Sequence, residues 1–193
     1  MKLVFATNNK HKIREISDLL DSRFEVIGLT EIGITEDIPE DADNLADNAL
    51  FKARYVHERT GLNVFADDTG LEVDALGGAP GVYSARYAGT SKDPSDNIIK
   101  LLKELEGVED RKARFRTVIA LIYDNSEYLF EGKVEGGIIQ MRRGTGGFGY
   151  DPVFIAEGYD QTFAEMPLSE KNKISHRAMA MRKLIAFLAQ QPV

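Results

Sequence analysis

The residues in this chain whose types and spacing best suit chemistry are two adjacent carboxylates, Asp67 and Asp68. They follow the short apolar run 64–66 and precede Thr69 and Gly70. An apolar run that closes on acids reads as a buried strand delivering them to its carboxyl end. Burying two like charges side by side costs several kcal/mol unless a cation, a proton or a hydrogen-bond network compensates them. A divalent metal is the obvious compensator. The structural alternative has Asp67 capping a turn and Asp68 beginning a loop.

Four further groups of residues could bind an anion or a base. Thr7, Asn8, Lys10 and Lys12 lie where a strand turns into a helix, and free N–H groups at a helix start converge with such side chains on a phosphate; a plain helix cap would use the same residues. Asn44, Asn48 and Lys52 recur at four-residue intervals, so Asn48 and Lys52 point the same way on a helix, as they would also on a merely wet face. His176 and Arg177, with Lys171 and Lys173 upstream, begin the last helix, where cations oppose the dipole and suit an anionic or carbonyl-bearing ligand. The run Gly144-Thr145-Gly146-Gly147-Phe148-Gly149 matches a dinucleotide pattern literally. That fingerprint needs a helix to open at the last glycine, whereas Tyr150-Asp151-Pro152 leads into a strand at Val153–Ile155. A glycine loop with one aromatic and one acid fits a base-binding ledge or a hairpin loop.

The elements that must position these groups follow from apolar spacing. Leu3–Ala6 reads as a buried strand, and Ile13, Ile16, Leu19 and Leu20 as one face of the helix after it. Phe24–Leu29 is a second strand. Thr35–Asp47 is a loop with six carboxylates, one or two of which could reach a metal. Leu45, Ala49, Ala53 and Val56 form the apolar face of the next helix, and Leu71 and Val73 alternate with acids as in a half-exposed strand. Asp93-Pro94 starts a helix that ends at Gly107. The runs 113–123 and 127–139, parted by Asp124-Asn125-Ser126, form a long antiparallel hairpin. Thr162–Met166 is a short extended piece, and Ser175 is placed to cap a helix carrying Ala178, Met181, Leu184, Ile185 and Leu188. Strands and helices in this order give an α/β class with a mixed sheet.

At 193 residues and 43% hydrophobic the chain supports one sizeable domain, and a net charge of −7 argues against long nucleic acid as a partner. No window approaches the ~20 apolar residues that cross a bilayer, and no signal peptide follows Met1-Lys2, so a cytoplasmic protein without a membrane partner is expected. The chain has no cysteine, which leaves oxygen and nitrogen groups to do any catalysis.

Several blocks in one order carry a resemblance: Thr7-Asn8-Asn9-Lys10-His11-Lys12, Glu40, Asn48-Ala49-x-x-Lys52-Ala53, Ala66-Asp67-Asp68-Thr69-Gly70-Leu71, Gly78–Arg86, Gly146–Pro152 and Ile174-Ser175-His176-Arg177. Nearly end to end, the sequence resembles the inosine triphosphate pyrophosphatase family, the non-canonical purine nucleoside triphosphate pyrophosphatases. The resemblance implies a single domain over residues 1–193, an elongated α/β fold of two lobes around a long mixed β-sheet with flanking helices. It also implies a nucleotide in the cleft between the lobes, usually in a homodimer. It implies that Thr7, Asn8, Asn9, Lys10, His11 and Lys12 hold the triphosphate, that Asp68 is the essential acid, and that Glu40 and Asp68 hold magnesium (Mg2+). Lys52 and Thr69 then complete the phosphate end. Phe148 stacks on the purine beside Gly149, Tyr150 and Asp151, and Lys171, His176 and Arg177 contact base or phosphates. Many relatives have glycine in place of Asn8, an aromatic in place of Leu45 and serine in place of Thr69.

The activity so implied is magnesium-dependent hydrolysis of ITP, dITP and XTP to the monophosphate and pyrophosphate, which clears the nucleotide pool. Two alternatives are a Maf-like pyrophosphatase of different base specificity and a nucleotide sensor without turnover. The Phe148 loop and the His176-Arg177 block argue against the Maf-like one.

Overall fold

The structure, a computed structural model, describes residues 2–17, 19 and 24–191. Leu20, assigned above to a helix face, lies outside them. The first half of the chain alternates as its patterning demands: β1 (Lys2–Phe5), α1 (Lys10–Ser17), β2 (Glu25–Gly28), α2 (Leu45–Thr60), β3 (Val64–Val73), the short β4 (Pro80–Gly81) and α3 (Pro94–Glu104). The second half adds β5 (Lys112–Tyr123), β6 (Ser126–Ile138), β7 (Phe154–Ala156), α4 (Leu168–Ile174) and α5 (His176–Leu188). One sheet takes the order β2-β1-β3-β5-β6-β7, with β4 paired to β3. β1 runs parallel to β2 and β3, while β4 and β7 run antiparallel to β3 and β6, so the sheet is mixed. Asp124 and Asn125 both hold positive φ, 48° and 61°, the primed two-residue turn that makes β5 and β6 a hairpin.

The chain divides into two compact units, one of Met1–Asp68, Thr117–Gly132 and Arg177–Val193, the other of Thr69–Arg116 and Lys133–His176. In the first unit, alternation along β1 and β3 separates two cores. Leu3, Phe5 and Phe65 pack with Ile16 of α1 and Met181 and Leu184 of α5, and the Phe5 and Phe65 rings stack at 4.5 Å. Val4, Ala6, Val64 and Ala66 pack instead on Ala49, Ala53 and Val56 of α2. Strands covered on both faces need continuous apolar runs, which is why Leu3–Ala6 and Val64–Ala66 lack polar residues. In the second unit, Leu71, Val73, Leu101, Phe115, Phe154 and Phe163 share one core, with Phe115 edge-on to Phe154 at 4.7 Å.

Three expectations from sequence are corrected here. β3 does not end at Asp67-Asp68; it runs on for five residues, and the acids lie inside it. Gly70 inside it is required by a neighbour: a Cβ there would lie 2.6 Å from the Gly81 carbonyl oxygen of β4. Val153 belongs to a 3-10 turn, and its strand begins at Phe154. Residues 162–166 form turns apart from one bridge between Ile155 and Thr162.

Gly70→Ala is therefore expected to lower stability by about 1–3 kcal/mol through overpacking against β4. Urea unfolding checks this, and an unchanged midpoint would show that β4 can yield.

Candidate active site

Because side chains alternate along β3, the adjacent acids leave the strand on opposite faces. Asp68 faces α2. Its Oδ2 accepts from Asn48 Nδ2 at 3.1 Å, and its Oδ1 lies 3.7 Å from Lys52 Nζ. The same ammonium donates to Glu40 and to the Asp67 carbonyl, the latter at 2.8 Å. Asn48 and Lys52, one turn apart, do point the same way, and toward the acid rather than toward solvent. Asn44 caps the helix below them, accepting from Asp47 N at 2.9 Å.

Asp67 faces α1 and α5. Lys12 Nζ donates to its Oδ1 at 2.9 Å and Arg177 Nε to its Oδ2 at 3.1 Å, while Arg177 Nη1 donates to Glu15. All of Glu15, Asp67 and Arg177 are buried. Arg177 was expected to meet a base or phosphate; the structure places its guanidinium between these two carboxylates. Sequence reasoning missed Glu15, which sits in α1 like a surface charge with its partner 162 residues away.

Charge tuning differs across the strand. Burial disfavours the Asp67 carboxylate, but Lys12, Arg177 and Lys52 outweigh it and hold the carboxyl well below the usual range. Burial dominates at Asp68, where Lys52 and Lys12 offset it only in part, so its pKa is raised. Burial also opposes charge on Glu40, yet Lys52 brings its pKa down. The Lys52 ammonium is disfavoured by burial and favoured more strongly by Asp68, Glu40 and Asp67, so it stays protonated. Lys12 is lowered, chiefly by burial, despite Asp67.

The loop before α1 divides by role. Asn9 Oδ1 accepts from the N–H groups of His11 and Lys12 at 2.9 and 3.3 Å, and Thr7 Oγ1 accepts from Asn9 N at 3.2 Å. Thr7 and Asn9 thus build the helix start, while Asn8, Lys10 and His11 are exposed beside it.

In the second unit, Asp151 is the hub. Its Oδ2 accepts from Lys171 Nζ at 2.6 Å and from Phe148 N at 2.8 Å. Gly147, at φ 67°, makes this possible, because a Cβ there would lie 2.0 Å from that oxygen. Lys171 Nζ stands 5.3 Å from the centroid of the half-buried Phe148 ring. Tyr150 is buried and donates to the Ser84 carbonyl at 2.8 Å; Gly149 turns the chain between it and Phe148. The dinucleotide pattern leads here into a single 3-10 turn, not a helix. His176 is buried and stacks on Phe115 at 4.6 Å. Lys173 pairs with Glu170 at the surface. Thr69 follows Asp68 along β3, half-buried. α4, which carries Lys171, was missed because its polar sequence LSEKNKI has no apolar period.

Among the described residues no group of three or more His, Asp or Glu side chains forms a ready metal cage. Glu40 and Asp68 nevertheless share one cation, Lys52, and two carboxylates completed by phosphate oxygens are the donor set of a hard divalent ion. The residues present fit such an ion.

A profile of the Ham1 family matches residues 3–187. The chain is 59% identical over 188 residues to the dITP/XTP pyrophosphatase of Porphyromonas gingivalis, covering 97% of each chain. It is 53% identical to that of Flavobacterium johnsoniae, over 97% of this chain and 98% of the relative. Among solved structures it is similar to a HAM1 protein from Coxiella burnetii, with a TM-score of 0.90 and 39% identity over 99% of this chain and 100% of that one. The Ham1 protein of Staphylococcus aureus superposes with a TM-score of 0.89 at 39% identity, over 98% of each chain.

The two acids should respond oppositely to neutralisation. Asp67 has a folded pKa below its unfolded value of about 3.9, so its contribution is complete above that pH and is lost as pH falls toward the folded value. Asp67→Asn strands buried Lys12 and Arg177, and is expected to cost about 3–5 kcal/mol at pH 7. Asp68, with a raised pKa, costs stability while charged, so Asp68→Asn should unfold at the wild-type urea concentration or above, the gap closing as pH falls. Urea midpoints at pH 7 and pH 4 check both signs; a destabilised Asp68→Asn would reverse the assignment.

Proposed function

Since the chain belongs to the Ham1 family, we propose that it hydrolyses non-canonical purine nucleoside triphosphates such as dITP, XTP and ITP to the monophosphate and pyrophosphate. The observation that carries this is Asp68: a buried carboxylate with a raised pKa, oriented by Asn48 and sharing Lys52 with Glu40. A carboxyl tuned upward is a better general base near neutral pH than an ordinary aspartate. Asp68 orients the attacking water and takes its proton as the bond between the α and β phosphates breaks. Lys12 and Lys52 offset phosphate charge, and the exposed side chains of Asn8, Lys10 and His11 at the start of α1 receive the distal phosphates. Magnesium, when held by Glu40 and Asp68 with the phosphates, supplies charge neutralisation. The family resemblance supports a cytoplasmic homodimer as the working form. No described helix is long and apolar enough to cross a membrane.

The base belongs to the aromatic and ionic set of the second unit. Phe148 offers a stacking face, and Lys171 beside it can donate but not accept. A 6-oxo purine accepts from such a group, whereas the amino group of adenine sets donor against donor, a mismatch worth on the order of 10⁴ in specificity.

Pyrophosphate release from dITP, XTP, ITP and ATP is expected to rank ATP last by about that factor, and Asp68→Asn to lower turnover roughly a hundredfold or more while still binding nucleotide. Equal kcat/KM for ATP and ITP would remove the base assignment, and an active Asp68→Asn would remove the acid.

Turnover should also vanish in excess EDTA and return with magnesium, since carboxylates and phosphates are hard ligands. Full activity in the chelator would exclude the metal.

A further inference from the structure

We propose that Asn48 is a positioning residue of this site, a single amide that holds Asp68 and the backbone carrying Glu40 in fixed register. The inference rests on the reading above that Asp68 and Glu40 work together. Asn48 is 1% exposed, and both ends of its amide are used across elements. Its Nδ2 donates to Asp68 Oδ2 at 3.1 Å and, at the long distance of 3.5 Å, to the Ala42 carbonyl, and its Oδ1 accepts from Ala42 N at 2.9 Å. Ala42 lies two residues after Glu40 in an irregular strap between Gly33 and the start of α2.

The strap runs antiparallel along the helix and is pinned at three heights. Ala42 meets Asn48, Glu40 meets Lys52, and Glu36 accepts from Tyr55 at 2.9 Å. Positions 48, 52 and 55 share one helical face. Pro39, Asp41 and Ala42 also line an open groove of about 270 Å³, so on that side the strap borders free space rather than a packed core. Ile34 and Ile38 pack on the core shared with Ala49 and Ala53 of α2, so the polar ties matter most for the stretch that follows, around Glu40 and Ala42. Two of these ties also reach the acid on β3: Lys52 as an ion pair at 3.7 Å, and Asn48 as the one that hydrogen-bonds it, at 3.1 Å. An amide of this reach can do both, since it offers a donor and an acceptor side by side. A carboxylate of the same shape keeps the acceptor and loses the donor, and an alkyl group of similar size loses both.

The test compares Asn48→Asp and Asn48→Leu with the wild type, reading amide exchange at Ala42 by NMR, kcat and KM for dITP, and fold by near-UV circular dichroism. In Asn48→Leu, Ala42 is expected to exchange about tenfold faster or more, and kcat to fall at least tenfold with little change in KM. In Asn48→Asp, Ala42 keeps its protection, because the acceptor remains, while kcat still falls. Wild-type exchange at Ala42 in the leucine variant, a rise in KM alone, or normal kcat in the aspartate variant would each overturn the proposal. Should the leucine variant fail to fold, Asn48→Ser removes the same reach with a smaller, polar group and is read the same way. If the wild type releases no pyrophosphate from any triphosphate, the hydrolytic reading fails, and exchange at Ala42 still decides whether Asn48 holds the strap.

Discussion

A β-strand cannot point two neighbouring side chains the same way, and the site in the first unit follows from that. Asp67 and Asp68 are adjacent in sequence but face different helices, so each acid has different direct partners although the fields of Lys12 and Lys52 reach both. On the α1 and α5 side, Asp67 and Glu15 face Lys12 and Arg177, two charges of each sign, of which Lys12 alone is half-buried rather than buried. On the α2 side, Asp68 and Glu40 share Lys52, two negative charges with one positive. The first set is balanced and suits architecture; the second leans negative and suits a cation brought with a phosphate ligand. One strand thus separates a carboxyl whose pKa is held down from one whose pKa is raised.

The same economy appears in the second unit. Asp151 spends one oxygen on both the loop backbone at Phe148 and the ammonium of Lys171, fixing an aromatic face and a donor relative to each other. Buried Tyr150 anchors the end of the loop through the Ser84 carbonyl.

Much of this was legible in the chain. Apolar runs and helical spacing gave β1, α1, α2, α3 and the hairpin of β5 and β6, because local pattern and packed fold agree there. The pairing of Asn48 with Lys52 was visible as a four-residue interval, although only the structure turns that row inward. What pattern could not give was long-range. The need for glycine at position 70 shows only once β4 is laid against it, Glu15 looks like a solvent charge until Arg177 arrives from the other end of the chain, and α4 hides because its buried residues include Lys171 and Asn172 rather than leucines. Asp67 was the subtler case. Its type suggested chemistry, yet its neighbours make it a keystone, and the difference between it and Asp68 is a matter of which face of β3 each occupies.

Helix α2 acts on the strap as a ruler. Its pins stand at residues 48, 52 and 55, and each matches a point on an irregular segment that has no ladder of its own. A residue inserted into the helix between the first and last pin would turn everything beyond it by about 100° and advance it by about 1.5 Å. The strap would then be threaded past a face that no longer meets it. Length in this stretch is therefore frozen in a way that the identity of its exposed residues is not, and insertions in chains of this kind should collect elsewhere.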